Sequence, residues 1–372
     1  MKLLLCVYFC LSFSFSFVSL AVSLNFLRER DAKDLPLLYA AISAPWAAKP
    51  ALGAAVDRFP LDRSRFVCLG FVGGGLAWAL APLSVVFLIL ASGMVCIADC
   101  AADAIMVSVS KHNDQVQRFS IACRSAGELT GTLLGGLVYM GGYTLTMHCA
   151  CLCLIPMGIL SLDLEQTKPT CSFPKWTWSL VHMQIIGFCL SAIPSTSTYI
   201  LMSWSAGGMT PITIALASTA SQIGAFAGLW VGKFIQPDVS VWAFIVCRML
   251  VVFSSWGIFL EPAGFAVFQN LMNGFGTALF LAPFVEKTTR LIPVDGNESF
   301  SYSAVMAALN LGGIASAALE SLLMGWTGLE SVENDPLPLV AVCLFLSILV
   351  FPFGFYFDSI KIPQTPVNGE LS

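Results

Sequence analysis

Charge is what this sequence has least of. Only 11% of its 372 residues are Asp, Glu, Lys or Arg, against roughly a quarter in a soluble domain, so most of its surface is not built for water. What charge there is nearly balances, at 18 basic against 22 acidic residues, which excludes a nucleic-acid binder. Histidine is scarcer still. His112, His148 and His182 stand apart, without acyltransferase or metalloprotease spacing, so neither enzyme chemistry nor a metal or cofactor is expected. Long polar stretches are missing as well, which excludes a soluble catalytic domain. Disorder is excluded by a mean hydropathy of +0.82. The 13 cysteines lie almost entirely in apolar runs, where they read as small hydrophobes rather than a disulfide framework. Cys149, Cys151 and Cys153 alternate along a helical run and point in different directions, which is no metal-ligand geometry.

What is present is apolar sequence in lengths that fit a membrane. A bilayer core needs about 20 helical residues to cross, and cutting at charge and turn clusters yields twelve segments: 3–24, 35–56, 66–82, 84–108, 119–141, 144–162, 178–201, 210–231, 239–260, 263–283, 299–325 and 337–357. With a cytoplasmic start, Lys2, Arg58, Arg63, Arg65, Lys111, Arg118, Lys168, Lys175, Lys233, Lys287, Arg290 and Lys361 fall inside. Only Arg28, Arg30 and Lys33 fall outside. Basic residues mark the cytoplasmic face, so both termini are expected there, in the plasma membrane or an endomembrane. The first segment also reads as a signal peptide ending at Ala21-Val22-Ser23, although its length favours a retained helix. The polar stretch 163–176 divides a six-helix bundle, 1–162, from a second, 177–358, followed by a tail, 359–372. Two such halves are the layout of a secondary transporter built from repeats.

Small residues recur every four positions on four segments: Ala40, Ala44 and Ala48; Gly127, Gly131 and Gly135; Gly224, Gly228 and Gly232; and Ala304, Ala308, Gly312 and Ser316. Such stripes let helices approach closely in lipid. They lie on segments 2, 5, 8 and 11, the helices that meet across the two halves of the major facilitator fold, and this predicts that they form the sliding seam.

The stretch Pro45-Trp46-Ala47-Ala48-Lys49-Pro50, then Gly53 and Asp57-Arg58-Phe59-Pro60, resembles the signature of the folate–biopterin transporters within the major facilitator superfamily. Asp99-Cys100-Ala101-Ala102-Asp103-Ala104 is similar to that family's paired-aspartate segment. A third similarity runs from Pro283 through Arg290, Pro293, Glu298 and Asn310 to Gly312-Gly313. The resemblance implies an all-α protein of about twelve transmembrane helices that carries folate- or pterin-like solutes.

Seven ionisable residues fall within the segments: Lys49, Asp99, Asp103, Arg124, Glu128, Arg248 and Glu320. Such groups are costly in lipid and face cavities or one another. At about 1.5 Å rise per residue, Lys49, Asp103 and Arg124 share one level, while Asp99 and Glu128 share a deeper one. The reading is therefore a compensated shallow cluster and, above it, two opposed carboxylates. Like charges there favour holding a proton, so Asp99, Glu128 and Asp103 are candidates for proton coupling. Lys49, Arg124 and Arg248 are candidates for binding an anionic substrate, and Trp46 for stacking on its ring. Helix locking by the same charges is the structural alternative. Asp57 and Arg58 are candidate gating residues at the cytoplasmic end of segment 2.

The function expected is alternating-access transport of an organic anion by a monomer, in contact with membrane lipid and coupled to protons. Another small organic solute, or a non-transporting receptor or scaffold, is the alternative.

Overall fold

The computed structural model describes the chain apart from residues 60, 111–114, 165–176, 195–200, 202–203, 205–207, 236, 261, 293–297, 328–336, 351 and 361–372. Its described residues form helices and short 3-10 turns, with no strand among them. The helices are α1 (Lys2–Glu29), α2 (Leu35–Ala47), α3 (Lys49–Arg58), α4 (Arg63–Leu80), α5 (Val85–Ser110), α6 (Gln115–Tyr139), α7 (Tyr143–Leu160), α8 (Trp178–Ser191), α9 (Pro211–Ser218), α10 (Ala220–Val231), α11 (Pro237–Leu260), α12 (Pro262–Leu291), α13 (Glu298–Thr327), α14 (Leu337–Leu349) and α15 (Pro352–Ser359). Each of the twelve segments is represented. Segments 2, 8 and 12 are each split into two helices. Six stretches are long and apolar enough, by length and composition, to cross a membrane: Lys2–Glu29, Arg63–Leu83, Val85–Ser110, Tyr143–Asp163, Pro211–Val231 and Glu298–Thr327. Nearly all of the expected linker and tail lies outside the described residues.

The break in segment 2 has a local cause. Pro50 has no N–H to give and its ring crowds the carbonyl one turn back, so the helix stops at Ala48 and restarts at Lys49. The neighbouring helix adds weak contacts at the break: the Cys96 thiol donates to the Pro45 oxygen at 3.7 Å and the Cys100 thiol to the Lys49 oxygen at 3.8 Å. The interruption therefore seats Lys49 against α5.

Within the first bundle α1 lies along α6, and α4 packs on α5 and α7. In the second, α12 packs on α10 and α11, and α13 on α8. The bundles meet where α13 crosses α2 and α3, and where α6 meets α9, α10 and α12. The expected seams are therefore present, but most of the glycine stripes face elsewhere. A Cβ on Gly127, Gly131 or Gly135 would collide with the α1 backbone at Phe9, Phe13 and Phe17. One on Gly224 or Gly228 would collide with α12 at Leu271 and Phe275, and Gly232 faces Leu279 of the same helix. Gly312 lies on Phe188 and Ser191 of α8. These stripes weld each bundle internally. At the seam, the close approaches belong to Gly53, whose Cβ would stand 2.9 Å from the Ser299 carbonyl oxygen of α13, and to Gly136, whose Cβ would stand 2.4 Å from the Ala215 Cβ of α9. The correction has a physical reason: spacing shows that a face is narrow, but not which neighbour it was narrowed for.

A side chain at Gly131 has no room, since its first atom would already be 2.5 Å from the Phe13 carbonyl oxygen. Gly131→Leu is expected to cost about 3 kcal/mol or more, the upper range for overpacking, read as lost thermal stability in detergent. Gly325→Leu, with nothing within 4 Å of the added Cβ, should change stability little.

Candidate functional site

A cavity of about 640 Å³ lies between the bundles, within the range of about 300–1,000 Å³ usual for small-molecule sites. Phe15, Tyr39, Ser43 and Trp46 line it from the first bundle; Phe244, Arg248, Phe280 and Asn310 line it from the second. The walls are thus mostly aromatic and aliphatic, with a few polar groups. Trp46 is fixed by its indole N–H, which donates to Ser92 Oγ at 2.9 Å, and by Phe15 set edge-on at 5.5 Å. Arg248 donates to Asn273 Oδ1 at 3.0 Å and to the Ile193 carbonyl at 2.9 Å. Its Nε is buried without a hydrogen-bond partner among the described residues. Glu320, buried on α13, is the acid whose charge acts on it.

Of the four residues expected to hold substrate, the structure brings Trp46 and Arg248 to this cavity. Lys49 and Arg124 are placed otherwise. Lys49 is 2% exposed, and its ammonium lies between the Asp99 carboxylate, which it contacts closely, and Asp103 Oδ2 at 2.9 Å. Arg124 reaches the same acids, Asp99 Oδ1 at 2.6 Å and Asp103 Oδ1 at 3.4 Å. Tyr8, from α1, donates to Asp103 Oδ1 at 2.9 Å, and its ring lies under the Arg124 guanidinium at 4.5 Å. Two cations thus meet two carboxylates where α1, α3, α5 and α6 converge.

This arrangement corrects the two-level reading. Asp99 does not oppose Glu128; it is paired with both cations. Depth counted along helix axes ignores the reach of Lys and Arg side chains, which span a full turn. Glu128 is instead beside a small cavity of about 170 Å³, lined also by Arg124, Ser125, Ser221 and Asn273. The Gln222 side chain of α10 faces Glu128 across the seam. No salt bridge within 4 Å reaches Glu128 among the described residues, because the Arg124 head has turned to the aspartates. Thr277 and Leu281 line both this cavity and the larger one.

At the end of the bundles where the basic residues gather, side-chain contacts join the two bundles. Asp57 accepts the Phe300 N–H at 2.9 Å, a donor that the first turn of α13 leaves unused. Its other oxygen takes Arg63 Nη2 at 3.1 Å, and the same guanidinium stands 3.5 Å from Glu298 of the opposite bundle. Ser299 Oγ donates to the Cys100 carbonyl at 3.2 Å. Burial lifts the Asp57 carboxyl to about 6, although the Phe300 N–H and Arg63 pull it down. A second latch joins Arg118 to Glu286 at 2.6 Å and Gln117 to Thr289 at 3.1 Å. Arg58, expected to gate beside Asp57, is exposed, and Arg63 takes the pairing in its place. Sequence reasoning missed Arg63, Glu298, Arg118, Glu286 and Tyr8 as site residues. The only local signal was Arg63 six positions after Asp57, beyond the helix end.

Two helical bundles closing on one polar-edged chamber, with a charged latch at one end, define an all-α, multi-pass membrane protein of the major facilitator fold. The chain is 22% identical over 356 residues to the folate-biopterin transporter of Synechocystis sp., a match covering 84% of this chain and 72% of that one. A solved point mutant of the nucleoside transporter NupG superposes with a TM-score of 0.70 at 13% identity, over 96% of this chain and 98% of that one. A second NupG structure gives 0.66 at 11% identity over the same shares. No family model matches the chain. The motif-level resemblance to folate–biopterin transporters is thus supported by similarity over most of the chain, and the fold by the superpositions.

Proposed function

We propose that this protein is a secondary active transporter of folate- or pterin-like organic anions, working by alternating access with proton coupling. The observation that carries the reading is the cavity between the bundles, where a flat aromatic wall at Trp46 and a guanidinium at Arg248 face one volume. A planar heterocycle stacks on such a wall, and a carboxylate satisfies such a guanidinium. The similarity to the Synechocystis folate-biopterin transporter supports that substrate class. The latch around Asp57 and Arg63 holds one side closed, as alternating access requires of each half-cycle, and the excess of basic residues makes that side the cytoplasmic one.

Proton coupling is assigned to Glu128. It has the small cavity beside it, Gln222 of the opposite bundle facing it, and Arg124 within one turn. A proton there would change how the α6–α10 seam is held. Asp99 and Asp103 enter through Arg124, which is shared between them and the Glu128 cavity.

Counterflow of labelled folate in proteoliposomes, against biopterin and a sugar, tests the substrate class. Saturable folate counterflow with no sugar exchange is expected, while saturable binding without flux would point to a receptor. Arg248→Gln should raise the half-saturation concentration for folate roughly 10- to 150-fold, the worth of a hydrogen bond to a charged group. Biopterin, lacking the glutamate carboxylates, should change far less. Glu128→Gln should keep counterflow and lose accumulation driven by a pH gradient; retained accumulation would remove Glu128 from coupling.

A further inference from the structure

At the basic end, where α6, α10 and α12 meet, the surface carries a cleft of about 600 Å³ that the transport reading does not use. Arg118 lines it from the first bundle; Lys233, Glu286 and Arg290 line it from the second. Its described lining thus carries three basic side chains and one acid, Glu286, which Arg118 engages at 2.6 Å. The remaining lining is apolar, and its aromatic part is open to the outside. Trp230 is 63% exposed and Phe119 54%, with Phe226 and Leu229 beside them. Trp230 is braced by Phe234, edge-on at 5.5 Å. Water is a poor neighbour for that wall, and hydrocarbon is a poor neighbour for those cations.

We propose that this cleft binds one anionic phospholipid, its phosphodiester held by Lys233 and Arg290 beside the Arg118–Glu286 pair and its acyl chains laid along Phe119, Phe226, Leu229 and Trp230. The argument is charge complementarity joined to amphipathic layering. A cationic rim above an apolar wall matches a negative headgroup above its chains, and basic pockets between helices at this level are suited to anionic headgroups. A soluble anion would satisfy the rim and leave the aromatic wall bare. Because the cleft is built from both bundles, its occupant bridges the α6–α10 seam on the side that the latch closes. A lipid seated there would favour the closed arrangement, since opening the seam parts Arg118 from Lys233 and Arg290.

The full-length protein in nanodiscs of graded composition tests this. The readout is quenching of Trp230 by brominated lipid, taken as the difference between wild type and Trp230→Phe. Brominated phosphatidylglycerol in a phosphatidylcholine background is expected to quench at a lower mole fraction than brominated phosphatidylcholine. Lys233→Gln and Arg290→Gln should each shift that midpoint about fivefold, the worth of one cation near an anionic surface. Equal quenching by the two headgroups in wild type would overturn the proposal. Loss of the preference on adding millimolar inorganic phosphate would also overturn it, assigning the rim to a small soluble anion. The emission of Trp230 itself reports that each variant keeps the wall folded, and transport activity is not needed for the reading.

Discussion

Replacing Lys49 by Met should be the most damaging single change in this protein. Asp99 and Asp103 are 1% and 3% exposed at their side chains, and Lys49 is the cation that touches both from α3. Without it, Arg124 alone faces two carboxylates that water cannot reach. Removing one partner of a buried ionic group typically costs about 3–5 kcal/mol, which should appear as a large fall in thermal stability in detergent. The double variant Lys49→Met/Asp103→Asn removes one charge of each sign, leaving Arg124 on Asp99 at 2.6 Å. It should recover most of the stability, because a buried pair replaced as a pair is close to neutral. Uptake is expected to stay below about a tenth of wild type, since the network ties α3, which carries Asp57, to the Arg124 side of the Glu128 cavity. If uptake returned together with stability, the network would be a scaffold and no more.

The contrast between what could be read early and what could not follows from the physics of lipid. Span positions were legible because hydrocarbon thickness fixes the length of every crossing, whereas segment 2 reads as one unbroken span, 35–56, and the break that seats Lys49 comes from the structure. The buried charges were legible as residues, since nothing else in the segments is ionised. Their pairing was not. Whether Asp99 meets Glu128 or Lys49 depends on helix rotation and side-chain reach, and neither leaves a period in the sequence. The same holds for Gly127, Gly131 and Gly135, whose narrow face was visible while its partner, the α1 backbone at Phe9, Phe13 and Phe17, was not. Glu298 and Arg63 stand 235 positions apart; only the crossing of α13 over α3, beside the start of α4 that carries Arg63, brings them together.

That crossing yields the second large effect. Arg63→Ala should open the basic end, because it leaves Asp57 and Glu298 facing each other across the seam without the guanidinium between them. A hydrogen bond to a charged group is worth about 1.5–3 kcal/mol, so the open fraction should rise roughly 10- to 150-fold. Ser299 is fully buried in the closed arrangement. A Ser299→Cys thiol therefore reports opening through its labelling by an impermeant reagent in inside-out vesicles, with the native cysteines as baseline. Asp57 adds a pH dependence of defined sign. In the closed latch its carboxyl is lifted from 3.8 to about 6 by burial, against Phe300 N–H and Arg63, with Glu298 pushing the same way as burial. An opened, hydrated Asp57 returns towards its ordinary value, so the closed state binds the proton more tightly. The closed latch thus gains its full advantage below about pH 4 and loses it as pH rises through about 6. Labelling should slow as pH falls from 7 to 5, beyond the slowing from thiol protonation alone. Asp57→Asn/Ser299→Cys supplies that reference, since it keeps the thiol and removes the titrating carboxyl. Matching pH profiles in the two backgrounds would take Asp57 out of the latch's proton response, while leaving the effect of Arg63 to be judged on its own rate.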